Sequence, residues 1–318
     1  MSLTSEIRGK TRLGQFLLDN VNVPKFNVLT DPVISHAAKR WRLIGTAFDF
    51  RVRMGISIKN NIEFIPRVSD IGFIHNYARG MLESLEDILI FRQLFPLWDK
   101  YPNFDDDAIT NLEKLCTNER FDEINTRIFI SIDNYHDLDY FKTLFAKDIS
   151  YLAIRKELLM LIDEEKDIPA LSEYAIKLAY WERVARGGRS IDQDWKDVFD
   201  DDILEVEQLY NLWKEKYIMP SGKIELNPGF EFRPSADADL IVGTHLVDWK
   251  VYTKPNNDLK KNMAQLAGYA ILSYKSGKEI ETCSIYFARH GLTLSIKTTE
   301  LLKCKIKDAA EIWNSLLK

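Results

Sequence analysis

The chain has 318 residues, 46% of them hydrophobic and 29% charged, with a formal net charge of −5. This is an ordinary globular composition, and the acidic total excludes a broadly basic surface of the kind that coats nucleic acid. No run of about 18 apolar residues occurs, so no membrane span is expected. Three scattered cysteines (Cys116, Cys283 and Cys304) without C-x-x-C spacing argue against a disulfide framework, a zinc site or an iron–sulfur cluster.

The opening stretch MSLTSEIRGKTRLGQ is polar and lacks the apolar core of a secretory signal, so a cytoplasmic location is expected. Residues 8–11 read Arg-Gly-Lys-Thr, like the end of a phosphate-binding loop. The first glycine of such a loop would fall at position 4, which is Thr4, so no nucleotide-driven motor is expected. Residues 1–60 carry ten Lys or Arg against four acids, a local positive excess in an acidic chain that can meet phosphates. In DPVISHAAKRWRLIGTAFDFRVRM, Asp31 and Pro32 predict a helix start. Ile34, Trp41, Ile44, Phe48 and Val52 form its apolar stripe, and Gly45 marks a break or a close contact.

From about residue 72 to 217 the pattern is helical, with breaks at DKYPNFDDD, DEEKDIP and RGGRS, and with Gly187–Gly188 as a helix stop. Tyr174, Tyr180, Trp181, Tyr210 and Trp213 fall at helical spacing and read as core rather than as a base-stacking surface. The texture changes at residue 219. Three strand patterns, a helix from about Asp258, two further strands and a closing helix follow. The predicted class is α/β.

The stretch ADADLIVGTHLVDWKVYTK (236–254) sets carboxylates in an apolar strand pattern. Gly243–Thr244 suits a two-residue hairpin with glycine in its first central position. That turn pairs Val242 with His245, sets Asp239 opposite Asp248 and Asp237 opposite Lys250, and gives Asp239, Ile241, Leu246, Asp248 and Lys250 one face. Two opposed carboxylates have Cβ atoms about 5 Å apart and repel. A divalent cation between them resolves the repulsion, and Mg²⁺ takes oxygen ligands of this kind. Lys250 reaches the same place, where it can orient the attacking water or stabilise charge on a phosphate. A structural Asp–Lys cluster at a sheet edge is the plainer reading of the same spacing.

An Asp followed across a hairpin by Asp-x-Lys resembles the PD-(D/E)xK nuclease superfamily. Gln265 and Tyr269, four apart on the next helix, make a Gln-x-x-x-Tyr pattern that resembles its RecB-like branch. The resemblance spans residues 239–269. It implies a restriction-endonuclease-like mixed sheet flanked by helices, with a large α-helical N-terminal and inserted region. It implies Mg²⁺ (or Mn²⁺) held by Asp239, Asp248 and the backbone carbonyl of Trp249, with Lys250 positioning the water. Gln265 and Tyr269 would support Lys250 or contact the nucleic-acid backbone. The branch often carries Gly-x-x-x-His on an N-terminal helix; here Gly45 is followed by Asp49, a departure. Asp49 is then either a metal ligand or a partner for a turn, Arg51 or Arg53. Asp237 and Glu231 are further acids near the set. Arg289 and His290, after a strand, either approach the site or lie at the surface, and the surface is the plainer reading.

The expected organisation is 1–71 as N-terminal helices contributing to the nuclease core, 72–218 as an α-helical insertion and 219–318 as the nuclease core. The expected function is metal-dependent hydrolysis of phosphodiesters, in DNA rather than RNA. The alternative is a catalytically silent member that binds nucleic acid or a protein.

Overall fold

The computed structural model describes residues 3–9, 11–25, 31–35, 40–64, 158, 160–162, 164, 166–187, 198–230 and 236–317. The chain divides into two compact units, one of Met1–Trp41 with Glu205–Lys318 and one of Arg42–Leu204. The expected boundary at 71/72 lies outside the described residues, as do Glu231, Cys116 and most of the predicted helices between 72 and 165.

In the second unit, α3 (Trp41–Asn60) buries Ile44, Phe48 and Val52, the stripe expected from spacing. The helix starts nine residues later than Asp31 and Pro32 suggested. Residues 31–35 are not helical, because Ile34 exchanges backbone bonds elsewhere: its N–H donates to Arg289 O at 3.2 Å, and its carbonyl accepts from the Arg289 guanidinium at 3.3 Å. Gly45 does not break α3, and among the described residues a Cβ there would meet nothing within 4 Å. The helix α4 (Leu171–Gly187) ends at the predicted glycine, with Tyr174, Tyr180 and Trp181 buried.

Among its described residues the first unit holds α1 (Leu3–Arg8), α2 (Arg12–Asn20), most of α5 (Asp200–Lys216), seven strands and three C-terminal helices. The strands are β1 (Ile224–Leu226), β2 (Gly229–Phe230), β3 (Ala236–Asp237), β4 (Leu240–Val242), β5 (His245–Lys250), β6 (Thr282–Phe287) and β7 (Leu292–Lys297). The helices are α6 (Leu259–Lys275), α7 (Thr298–Leu301) and α8 (Ile306–Leu316). Five strands form one mixed sheet in the order β1-β4-β5-β6-β7, parallel only between β5 and β6; β2 and β3 make a separate ribbon. That parallel pair is joined through α6, as parallel strands require a crossover.

The hairpin register is the predicted one: Leu240 pairs with Val247, Ile241 with Leu246 and Val242 with His245. Gly243 has φ +59° and Thr244 does not lie at positive φ, the sign pattern of a type II′ turn. One sheet face, with Ile241, Leu246, Cys283, Ile285 and Phe287, packs into a core with α6, α2, α1 and α8. The opposite face is covered in part by aromatics at the end of α5. Tyr210, Trp213 and Tyr217 stack in succession, and Tyr217 meets Tyr286 edge-on at 5.4 Å.

Two short helices, α1 and α2, precede the stretch that Asp31 and Pro32 open. Leu3 and Ile7, then Leu13 and Leu17, are buried pairs at i, i+4 spacing. Thr11, weighed as the end of a phosphate loop, instead caps α2 by accepting from Gly14 N–H at 3.1 Å.

Candidate active site

The hairpin supplies two carboxylates and an ammonium, and α6 supplies an amide and a phenol. Asp248 is the fourth residue of β5, on the same face as Leu246, and its side chain is 2% exposed. A carboxylate so buried needs a partner, and Lys250, two residues on and therefore on the same face, brings Nζ to 2.5 Å from Asp248 Oδ2. That oxygen accepts no hydrogen bond of ordinary geometry. Burial pulls the Lys250 ammonium down. The fields of Asp248 and Asp239, with Tyr252, outweigh burial, so its pKa is raised and it stays charged.

Asp239 stands one residue before β4, where the hydrogen-bonded ladder has already ended at Leu240–Val247. Two hydrogen bonds help to hold it. Its backbone carbonyl accepts from Asn227 N–H at 3.0 Å, and its Oδ2 accepts from Trp249 N–H at 2.5 Å. The register, continued one residue past the ladder, keeps Asp239 across from Asp248, and the Asp239 carboxylate accepts from the N–H of the residue after Asp248. A residue's N–H and C=O point to the same side of an extended strand, so the Trp249 carbonyl also points toward the Asp239 side.

Tyr269 is buried on α6 and stacks on Phe230 with ring centroids 6.3 Å apart. Gln265 Nε2 donates to Tyr269 Oη at 2.6 Å, as their four-residue spacing allows. Burial, then the negative fields of Asp248 and Asp239, push the Tyr269 phenol well above its ordinary value, against a downward pull from Gln265. It remains an O–H donor beside the carboxylates. Asp239, Asp248, Lys250, Gln265 and Tyr269 therefore form one neighbourhood. The structure adds Phe230, which packs Tyr269, and Thr4, whose hydroxyl lies 3.3 Å from Gln265 Nε2. Neither carries a spacing signal of its own.

Other expected residues belong to other elements. Asp49 is on α3, in the unit Arg42–Leu204, where it pairs with Arg53. Asp237 pairs in register with Gly229 in the β2–β3 ribbon, not with Lys250, because β4 begins only at Leu240. Arg289 and His290 are not surface residues: both are buried, Arg289 in an ion pair with Glu205. His290 Nε2 lies 3.3 Å from Thr253 O. Among the described residues no helix is long and apolar enough to cross a membrane, and no group of three or more His, Cys, Asp or Glu is arranged to hold a metal ion.

The donor set is still one that fits a hard cation. Asp239 and Asp248 carboxylates with the Trp249 carbonyl are all oxygen, and the buried Asp248 Oδ2 is met by the Lys250 ammonium at 2.5 Å. A Mg²⁺ ion keeps several waters and needs only one or two carboxylates from the protein, so a set short of three acids is compatible with it. Compared with known proteins, the chain matches no family model, no curated protein and no solved structure.

Proposed function

We propose that the chain is a metal-dependent nuclease with a restriction-endonuclease-like core, acting on phosphodiester bonds of DNA in preference to RNA. The observation that supports this reading most is the meeting of Asp239, Asp248 and Lys250 with the Gln265–Tyr269 pair, groups that come from separate elements. Asp239, Asp248 and the Trp249 carbonyl would hold Mg²⁺ or Mn²⁺. When bound, the cation supplies positive charge that stabilises the developing phosphorane and lowers the pKa of water. Lys250, as an ammonium, donates to a phosphate oxygen or orients the water; in that state it cannot take the water's proton. Tyr269 adds an O–H donor from α6. Water oxygen bonds to phosphorus as the bond to the sugar oxygen breaks. One water proton ends on the leaving oxygen and the other on the product phosphate or solvent.

A second reading has its own observation. The Lys250 ammonium against Asp248 already neutralises the buried carboxylate, which suits a catalytically silent protein that binds nucleic acid or a protein partner. One experiment separates the two. Purified protein is incubated with single- and double-stranded DNA and RNA in Mg²⁺, Mn²⁺ or chelator, beside Lys250→Ala and Asp248→Ala. Cleavage in metal by wild type alone supports the nuclease. Absence of cleavage in either metal, or equal cutting by the variants, would falsify it; strand retention without cleavage supports the silent reading.

A further inference from the structure

The amide of Gln265 is held at both ends of a short relay. Its Nε2 donates to Tyr269 Oη at 2.6 Å and to Thr4 Oγ1 at 3.3 Å. Thr4 lies 261 residues earlier in the chain, on α1, and two close approaches bring it there. Leu3 packs over Gly268, where an added Cβ would stand 2.6 Å from Leu3 Cδ2. The α1 backbone at Glu6 meets Gly14 of α2, where a Cβ would stand 2.1 Å from the Glu6 carbonyl oxygen. Two glycines and two buried apolar residues, Leu3 and Ile7, thus seat a six-residue helix against α6. Thr4 itself stays half-buried, with its hydroxyl toward Gln265.

We infer that Thr4 is a positioning residue of the candidate active site, acting through Gln265. The inference rests on the nuclease reading. A primary amide has two N–H donors and one carbonyl acceptor. With both donors engaged by Tyr269 and Thr4, Gln265 presents only Oε1 to anything that enters. A carbonyl oxygen suits a water or another O–H or N–H donor and repels a phosphate oxygen. Gln265 therefore orients water rather than gripping the substrate backbone, and Thr4 keeps the amide turned that way. Freed from Thr4, the amide rotates with one donor unpaired, and its carbonyl is no longer held in one direction.

The test measures steady-state cleavage of a fluorescein-labelled DNA oligonucleotide in Mn²⁺, and its binding by fluorescence anisotropy with chelator present. The variants are Thr4→Val, Thr4→Ser, Gln265→Ala and the double variant Thr4→Val with Gln265→Ala. Thr4→Val is expected to lower kcat roughly three- to tenfold, the worth of one hydrogen bond, with KM and strand affinity within about twofold. Thr4→Ser is expected to restore kcat. The double variant is expected to be no slower than Gln265→Ala, because the two act as one unit. The assignment is overturned if Thr4→Val cuts as wild type does, if it changes KM and not kcat, or if its effect adds to that of Gln265→Ala. If Thr4→Val fails to fold, the judgement passes to Thr4→Ala: a kcat loss as large as with Gln265→Ala supports the assignment, and wild-type kcat overturns it. A wild type that neither cuts nor binds overturns the nuclease reading and this role together.

Discussion

The backbone N–H of Trp249 donates to Asp239 Oδ2 across 2.5 Å, so the residue lying between Asp248 and Lys250 is also the one that holds Asp239. One bond couples the two arms of the hairpin just past the last ladder pair, Leu240–Val247. It leaves the Asp239 carboxylate facing the strand that carries Asp248.

Asp239→Ala removes an acceptor that is charged, and hydrogen bonds of this type contribute about 1.5–3 kcal/mol. The variant is expected to unfold at lower urea without metal and to lose cleavage in Mg²⁺. An unchanged urea midpoint, read by far-UV circular dichroism, would show that the bond holds nothing.

Lys250→Met leaves Asp248 buried with no counter-charge. Breaking a buried pair in this way costs about 3–5 kcal/mol. With Lys250 gone, Mn²⁺ is expected to return part of that loss by binding the folded state alone, about 2.7 kcal/mol at a hundred times its Kd. Thermal unfolding of the variant with Mn²⁺ and with chelator checks this. Equal Tm in both would mean that Asp239 and Asp248 do not hold the cation.

His245 is half-buried on β5, with Nε2 2.6 Å from Ser284 Oγ, and burial lowers its pKa from 6.5. A folded-state pKa below the unfolded one means that the unfolded chain binds the proton first. The contribution to stability is complete above about pH 6.5 and is lost as pH falls through the folded value. His245→Gln is expected to flatten the dependence of the urea midpoint on pH between about pH 7.5 and pH 5. A slope equal to that of wild type would show that His245 does not set it.

Gly14→Ala puts a methyl group onto the Glu6 backbone, where the ideal position is 2.1 Å from the carbonyl oxygen. Backbone cannot give way as a side-chain tip can, so α1 must separate from α2. Overpacking of this kind costs about 1–3 kcal/mol. Since α1 carries Thr4, kcat is expected to fall alongside stability. A fully stable Gly14→Ala protein would mean that α1 docks without this contact.

The local geometry of the candidate site was readable because its information is local. A glycine at the first turn position sets the register, the register sets the faces, and four-residue spacing on a helix joins Gln265 to Tyr269. The burial of Ile44, Phe48 and Val52 on α3 followed from periodicity for the same reason. The start of α3 did not: Asp31 and Pro32 have good capping chemistry, yet Arg289 takes the backbone of Ile34. Nor did Arg289 and His290, whose polarity suggested the surface and whose burial depends on Glu205 and Thr253, distant in sequence.

By itself, the sequence determined the α/β alternation, the hairpin register and which side chains share its face, because turn geometry and strand period act over a few residues. Only the tertiary structure decided that Asp239 turns to the amide of Trp249, that Asp237 belongs to a separate ribbon, and that α1 brings Thr4 to Gln265. Those outcomes depend on where a ladder ends and on how closely two backbones approach at Gly14 and how tightly Leu3 sits on Gly268, and such distances are set by packing between segments that no local pattern encodes.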